Sequence, residues 1–213
     1  MKERVVITGV GVAAPNGVGK AAFTAAIRAG KSGIRYYETL RELNFSCCIA
    51  GQPEVSEALK LEYFPPLMLR NFISSGILYG CMAGLDAWAD AGLSRNEEAP
   101  DWDSGAIMGI GSSGVEKMRE AAYRLDSGNV KRLGSTTVPQ IMASGVSAYL
   151  GGLLGLGNQV TTNSSACTTG TESILLAYER IANGYATRML AGSASDSGPY
   201  IWGGFDAMKV MNF

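Results

Sequence analysis

The sequence predicts an α/β fold in which helices are layered around a mostly parallel sheet. Three observations carry this. Five apolar runs read as buried strands, at residues 4–9, 45–50, 105–111, 158–163 and 188–192. Most are continuous rather than alternating, as expected when both faces of a sheet are covered. Helical patterns lie between the runs, and strands alternating with helices are the signature of a layered, largely parallel sheet. Composition agrees, with 46% apolar and 17% charged residues against a usual charged share of roughly 25%. A disordered chain is thereby excluded. The 28 glycines follow no collagen period, so they point to tight loops and close backbone packing.

Each element has its own signal. Residues 4–9 run into Gly9-Val10-Gly11 and Pro15, a strand followed by a loop. Residues 20–29 form a short amphipathic helix stopped by Gly30, the residue that most readily leaves a helix. The apolar run 45–50 holds Cys47 and Cys48. Residues 67–91 read as one long helix, with Gly76, Gly80 and Gly84 on one face where another backbone could approach. Residues 94–104, with Glu97, Glu98, Asp101 and Asp103, read as a solvated acidic loop. The helix 115–125 mixes charges. Lys117, Arg119, Arg124, Lys131 and Arg132 are expected to form an ordinary solvated face, a surface for an acidic partner being the other reading. The almost uncharged helix 138–150 should be buried or at an interface. Residues 168–182 carry Ile174, Tyr178 and Ile181 on one side and stop at Asn183-Gly184.

Several function classes fall away on composition. The chain has no histidine, which removes Ser-His and Cys-His dyads, histidine zinc sites and a histidine pH switch together. A formal net charge of −1 gives no general field for nucleic acid or an anionic membrane. No uncharged run reaches the roughly 20 residues of a membrane span. Met1 to Arg4 lead straight into Val5-Val6-Ile7-Thr8 without a signal-peptide pattern. Cys47, Cys48, Cys81 and Cys167 lack metal-ligand spacing. Free thiols in a reduced, cytoplasmic protein are expected, with no metal or cofactor.

Two motifs invite chemistry. Gly109-Ile110-Gly111-Ser112-Ser113-Gly114 is a G-x-G-x-x-G between a strand and a helix. A nicotinamide-binding Rossmann protein would also need a strand ending in an acid about 20 residues later. A turn, Asp126-Ser127-Gly128-Asn129, stands there instead, so this reading is a remote alternative. The stronger signal is Asn163-Ser164-Ser165-Ala166-Cys167-Thr168-Thr169-Gly170. A thiol just before a helix feels the positive end of the macrodipole and nearby backbone N–H groups, which favour the thiolate. The same N–H groups could stabilise an oxyanion, and small neighbours would let a carbonyl reach the sulfur. A buried structural cysteine is the competing reading.

Ser165-Ala166-Cys167-Thr168-Thr169-Gly170 resembles the active-site motif of the β-ketoacyl-acyl-carrier-protein synthases, condensing enzymes of the thiolase-like fold. Further similarity runs along the chain: Arg4 to Gly11 with Pro15 and Gly17, Gly30-Lys31-Ser32-Gly33-Ile34, Val138-Pro139, Ala191-Gly192, and Gly203-Gly204-Phe205-Asp206-Ala207-Met208. The resemblance implies that Cys167 accepts an acyl group from an acyl carrier protein as a thioester. A malonyl thioester is then decarboxylated and attacks it in a Claisen condensation, without metal or redox cofactor. It also implies that Ser112 and Phe205 line the acyl pocket, and that the chain pairs as a homodimer or with a related chain through 138–150 and 158–163.

Two departures qualify the resemblance. The family's Gly-Gly-x-Glu appears here as Gly192-Ser193-Ala194-Ser195-Asp196, with Ser195 in the glutamate position. The two histidines and the lysine of the family's C-terminal half are also missing. Residues 1–213 are therefore expected to be the N-terminal half of a longer enzyme, ending before the last strands of the sheet and inactive in condensation alone. The alternative is a non-catalytic chain-length or dimer-partner subunit, which Ser195 favours and retention of Cys167 disfavours.

Overall fold

Turn residues and caps divide the chain into short elements, and a computed structural model gives their arrangement. It describes residues 3–70 and 72–211; Met1, Lys2, Asn71, Asn212 and Phe213 lie outside the described residues. The chain begins with a small hairpin, β1 (Ala13–Ala14) and β2 (Gly17–Val18), followed by α1 (Lys20–Arg28). Next come β3 (Ile34–Tyr36), α2 (Glu38–Glu42) and β4 (Ile49–Gly51), and then α3 (Glu57–Tyr63), α4 (Pro66–Leu69) and α5 (Ser75–Asp90). The second part holds β5 (Ser104–Ile110), α6 (Val115–Asp126), α7 (Thr137–Ile141), α8 (Gly145–Leu154) and β6 (Val160–Thr161). It closes with α9 (Thr169–Ala182), β7 (Arg188–Ala194) and α10 (Pro199–Ala207).

A parallel sheet of order β6-β5-β7 is the centre of the fold. Every residue of β5 is buried, which explains why it reads as a continuous apolar run. Its side chains alternate between two helical layers. Ala106, Met108 and Ile110 join the cluster built by Ile77, Met82 and Leu85 of α5 with Val146, Leu150 and Leu154 of α8. On the other face, a Cβ on Gly109 would meet Thr169 and Ser173 of α9. The expected α/β layering is thus present, with α5 and α8 on one side and α9 on the other.

The glycine ridge of α5 does bring neighbours close. Gly76 packs on the Asp196 backbone, Gly80 on Val146 and Ala194, and Gly84 on Leu150. Cys81 lies inside this contact, and burial pushes its thiol up to about 12. Among the described residues, no helix is long and apolar enough to cross a membrane.

Several elements differ from the sequence expectation, each for a tertiary reason. Residues 4–9 join no strand. Val6 and Ile7 are 59% and 83% exposed, while Gly9 and Gly11 press against the backbone of α5 at Ala87 and Ala83. An apolar run becomes a strand only where a neighbour accepts its ladder, and here β7 pairs with β5 alone among the described residues. The run 45–50 shortens to β4, which pairs antiparallel with β3, because Asp206 takes the Ser46 and Cys47 N–H groups at 2.9 Å each.

The helix expected over 67–91 is broken before Ser75. There the Gln140 side-chain carbonyl accepts from Ile73 N (2.8 Å) and Ser74 N (3.3 Å). The helix expected over 138–150 splits because Met142 adopts an extended conformation. Of the run 158–163, only Val160–Thr161 makes a strand.

The acidic stretch 94–104 is not wholly solvated. Ser104 is buried in β5, and Asp101 accepts from Ser104 Oγ (2.6 Å) and pairs with Arg188 (3.0 Å). Lys117, expected on a solvated face, is only 5% exposed and pairs with Glu120 at 2.8 Å. The long aliphatic stem of lysine makes such burial tolerable once its head is paired. All four cysteines are free, Cys47 and Cys81 buried, Cys48 half-buried and Cys167 exposed.

Candidate functional site

Parallel strands place their carboxyl ends at one edge of the sheet, and connections leaving toward opposite faces open a crevice there. β5 leaves through Gly111–Gly114 to α6 and α7 and returns by α8 on one face, whereas β6 leaves to α9 on the other. The switch point therefore lies between β5 and β6. Ser112 stands just beyond the end of β5, Cys167 between β6 and α9, and Asp196 just beyond β7. The topology thus brings all three residues to one edge.

The turn around Cys167 is held under strain. Ala166 adopts φ +51°, a left-handed conformation that costs a non-glycine residue roughly 1–2 kcal/mol. Residues Ala166–Thr168 form a single 3₁₀ turn leading into α9, and the Cys167 side chain is exposed at its tip. Thr169 clamps the turn. Its hydroxyl accepts from Ser165 N (2.9 Å) and donates to the Ala166 carbonyl (2.6 Å). Thr168 Oγ1 also donates to the Ser165 carbonyl (2.8 Å). Strain kept in place by surrounding hydrogen bonds is a feature of functional turns. Here it lifts one thiol out at the N-terminus of a 14-residue helix.

Asn163 ties this turn to the sheet. Its backbone carbonyl accepts from Ile110 N (3.2 Å). Its side chain donates to the Thr169 carbonyl (3.0 Å) and to Glu172 (2.7 Å), and accepts from Ser173 Oγ (2.6 Å). Ser165 and Asn163 draw the Glu172 carboxyl below the usual glutamate range. Of the two, Asn163 makes the full hydrogen bond, whereas the buried Ser165 hydroxyl has no partner in full hydrogen-bonding geometry.

A depressed acid contributes stability above its unfolded value, near 4.3 for glutamate, and loses it as pH falls through the folded value. Glu172→Gln is therefore expected to be less stable than wild type at pH 7 and to approach it on acidification below about pH 4. Urea titrations at a series of pH values would check this. A stability gap independent of pH would show that the carboxylate charge is not what Asn163 holds.

Ser112 is exposed in the turn that follows β5. The rest of that turn is tied down: a Cβ on Gly114, at φ +70°, would strike the Gln140 carbonyl, and Ser113 Oγ lies 3.4 Å from Ser74 Oγ. Phe205 lies near the end of α10 and is 49% exposed. α10 is anchored through Asp206 to residues 46–47, by Trp202 tilted against Tyr37 at 5.6 Å, and by Arg119 of α6 over the Tyr200 ring. The structure therefore places Ser112 and Cys167 at one sheet edge, while Phe205 lies on α10, which follows β7 and contacts α6.

Sequence reasoning missed Thr169, Asn163 and Gln140 as supports. Thr169 and Asn163 carried a signal, since both flank the cysteine with side chains able to bond backbone. Gln140 carried none, because its partners are 66 and 67 residues away.

Comparison with known proteins decides the family. The model for the β-ketoacyl synthase N-terminal domain matches residues 2–212. The chain belongs to the β-ketoacyl synthase family. A 3-oxoacyl-[acyl-carrier-protein] synthase 2 of Vibrio cholerae is 32% identical over 99% of this chain and 50% of its own length. A 3-oxoacyl-[acyl-carrier-protein] synthase 1 of Haemophilus influenzae is 31% identical over 99% of this chain and 51% of its own length. Among solved structures, a β-ketoacyl synthase from Burkholderia phymatum superposes with TM-score 0.83 at 28% identity, covering 100% of this chain and 51% of that one. The fold is accordingly thiolase-like, as the sequence led us to expect. The chain spans about half the length of the curated relatives it matches.

Within the β-ketoacyl synthase family the departure at 192–196 takes on a physical shape. Ser195 is exposed, while Asp196 beside it is buried and accepts hydrogen bonds from three groups. The glycine pattern 109–114 likewise has packing reasons. Gly109 admits α9, and Gly114 admits the carbonyl of Gln140. Neither glycine needs a dinucleotide to explain it.

Proposed function

We propose that this chain carries the acyl-accepting nucleophile of a 3-oxoacyl-acyl-carrier-protein synthase, and that Cys167 is that nucleophile. The observation that carries the reading is the exposed thiol on a strained turn, at the N-terminus of a long helix and at the carboxyl edge of a parallel sheet. In the proposed reaction the Cys167 thiolate attacks the carbonyl of an acyl thioester, and the carrier thiol leaves. A malonyl thioester then loses carbon dioxide. The carbanion so formed attacks the acyl carbonyl, a carbon–carbon bond forms, and the Cys167 thiolate departs. The N-terminus of α9 favours negative charge on the sulfur at the first and last of these steps.

Ser112 and Phe205 are proposed to line the acyl pocket, Ser112 from the loop at the same sheet edge and Phe205 from α10. The donor is proposed to be an acyl carrier protein. In support, a type II PKS acyl-carrier protein in complex with its ketosynthase is among the solved structures this chain resembles, at 27% identity and TM-score 0.79. The histidines and lysine that complete the chemistry in the family are absent, so the chain is proposed to be the N-terminal half of a longer enzyme. The four unbridged cysteines favour a reduced, cytoplasmic setting.

The test is to incubate the chain with an octanoyl thioester of acyl carrier protein and map the adduct by peptide mass spectrometry. An octanoyl group on the peptide containing Cys167 is expected. An adduct at another residue, or none, would sink the assignment.

Pairing with a second copy or a related chain is proposed across β6, which has β5 as its only partner among the described residues. Val138 and Met142, in the almost uncharged stretch before it, are exposed. A dimeric sedimentation coefficient at micromolar concentration is expected, and it should be lost when a charge is placed at the exposed Val138. A species that sediments as a monomer throughout would contradict pairing with a second copy.

A further inference from the structure

A carboxylate withdrawn from water is costly unless hydrogen bonds replace the lost solvent. Asp196 is 3% exposed, and no lysine or arginine reaches it among the described ion pairs. Its oxygens are satisfied by two helix starts instead. Oδ1 accepts from Ser74 Oγ (2.8 Å) and Gly76 N (2.7 Å), at the beginning of α5. Oδ2 accepts from Val115 N (3.2 Å), the first residue of α6. Neither helix has a side-chain cap from its own N-cap residue. One acid therefore caps two helices that the sequence separates widely, and the positive ends of both macrodipoles stabilise its charge.

This arrangement has a consequence at the sheet edge. The turn 111–114 is held on its first side by the β5–β7 ladder, which runs to Ile110↔Ala194. On its second side it is held by the Asp196–Val115 bond and by the Ser74–Ser113 approach (3.4 Å), and Ser74 is itself bound to Asp196. Ser112 lies exposed, next to the exposed Gly111, between the two anchors. Glu116, one residue beyond Val115, has its carboxyl raised above the usual range by burial and by the neighbouring Asp196 charge. Asp196 thus also shapes the electrostatics at the start of α6.

We propose that Asp196 is a positioning residue: by capping α5 and α6 together it sets the 111–114 turn, and with it Ser112, relative to Cys167, and so governs which acyl chains reach the thiol. The proposal rests on the function assigned above to Cys167, and the experiment separates the two. Asp196→Asn is nearly isosteric but turns an acceptor oxygen into a donor facing a backbone N–H or the Ser74 hydroxyl. Acylation of the full chain by butanoyl and octanoyl thioesters of N-acetylcysteamine is followed by mass spectrometry. Alkylation of Cys167 by iodoacetamide serves as a measure independent of the pocket, and amide hydrogen exchange is read by peptide.

The expected result is a change of at least about fivefold in the octanoyl-to-butanoyl rate ratio, with iodoacetamide alkylation within about twofold of wild type. Exchange over 111–118 should be at least about tenfold faster, with 169–182 unchanged. An unchanged rate ratio would overturn the proposal and leave Asp196 a fold staple only. So would a parallel fall in both thioester rates and in alkylation. If wild type is not acylated at all, the function of Cys167 fails. The exchange data still decide the positioning claim, which falls if 111–118 exchanges as in wild type. Should Asp196→Asn not fold, Ser74→Ala removes one of the three bonds, and the same shifts are expected in smaller size.

Discussion

Cys167→Ala is expected to lower acyl transfer from a carrier thioester to the chain by at least about 10³-fold, to the background of the other thiols. That corresponds to about 4 kcal/mol of barrier at about 1.36 kcal/mol per tenfold. The expectation rests on how differently the four cysteines are placed. Cys167 is exposed, Cys47 and Cys81 are buried, and Cys48 is half-buried with its thiol directed to the Phe45 carbonyl. Burial holds the Cys81 thiol up to about 12, so it supplies almost no thiolate near neutral pH. Cys167→Ser is expected to recover little, because a hydroxyl needs a base to become nucleophilic and the chain has no histidine. Stopped-time mass spectrometry of the acyl adduct would measure both variants. Wild-type rates in Cys167→Ala would move the nucleophile to another side chain.

The same residues show how far the sequence could be read. β5 was legible because its partners lie within the chain, so continuous apolar character matched real cover on both faces. The cysteine turn was legible for a local reason, since a strand, a run of small residues and a helix start follow in order. Residues 4–9 carry an equally apolar pattern but pair with nothing among the described residues, because pattern records what a segment needs and not whether a neighbour supplies it. The break before α5 was invisible. It depends on Gln140 and Asp196, 66 and 122 residues from Ser74, taking the N–H groups and hydroxyl at the helix start. Lys117 was misplaced for a related reason, since a charged residue on a helix suggests solvent until its partner Glu120 and its packing are seen. Local chemistry was readable, and long-range capping was not.

The second large effect is expected at Gly109, where two readings of one glycine motif part. A Cβ at this position would stand 2.1 Å from Thr169 Cγ2 and 2.8 Å from Ser173 Oγ. Thr169 is β-branched and its hydroxyl is committed to the cysteine turn, so it cannot swing aside without releasing Ser165 or Ala166. Gly109→Ala should therefore push α9 away from the sheet. The cost is about 2–4 kcal/mol, combining overpacking with a weakened Ser173–Asn163 hydrogen bond. Because α9 carries the turn that presents Cys167, acylation should fall by about 10–100-fold even where the variant remains folded.

Gly111 is the control, since a Cβ there meets nothing within 4 Å, and Gly111→Ala should leave the unfolding midpoint nearly unchanged. A dinucleotide site would reverse this order in a binding assay, because the second glycine of such a motif is the one that admits the pyrophosphate. Thermal and urea denaturation of the two variants, read beside their acylation rates, separates the cases. Equal stability of Gly109→Ala and Gly111→Ala would mean that α9 can retreat from β5 at no cost, and that the position of Cys167 is not set by this contact.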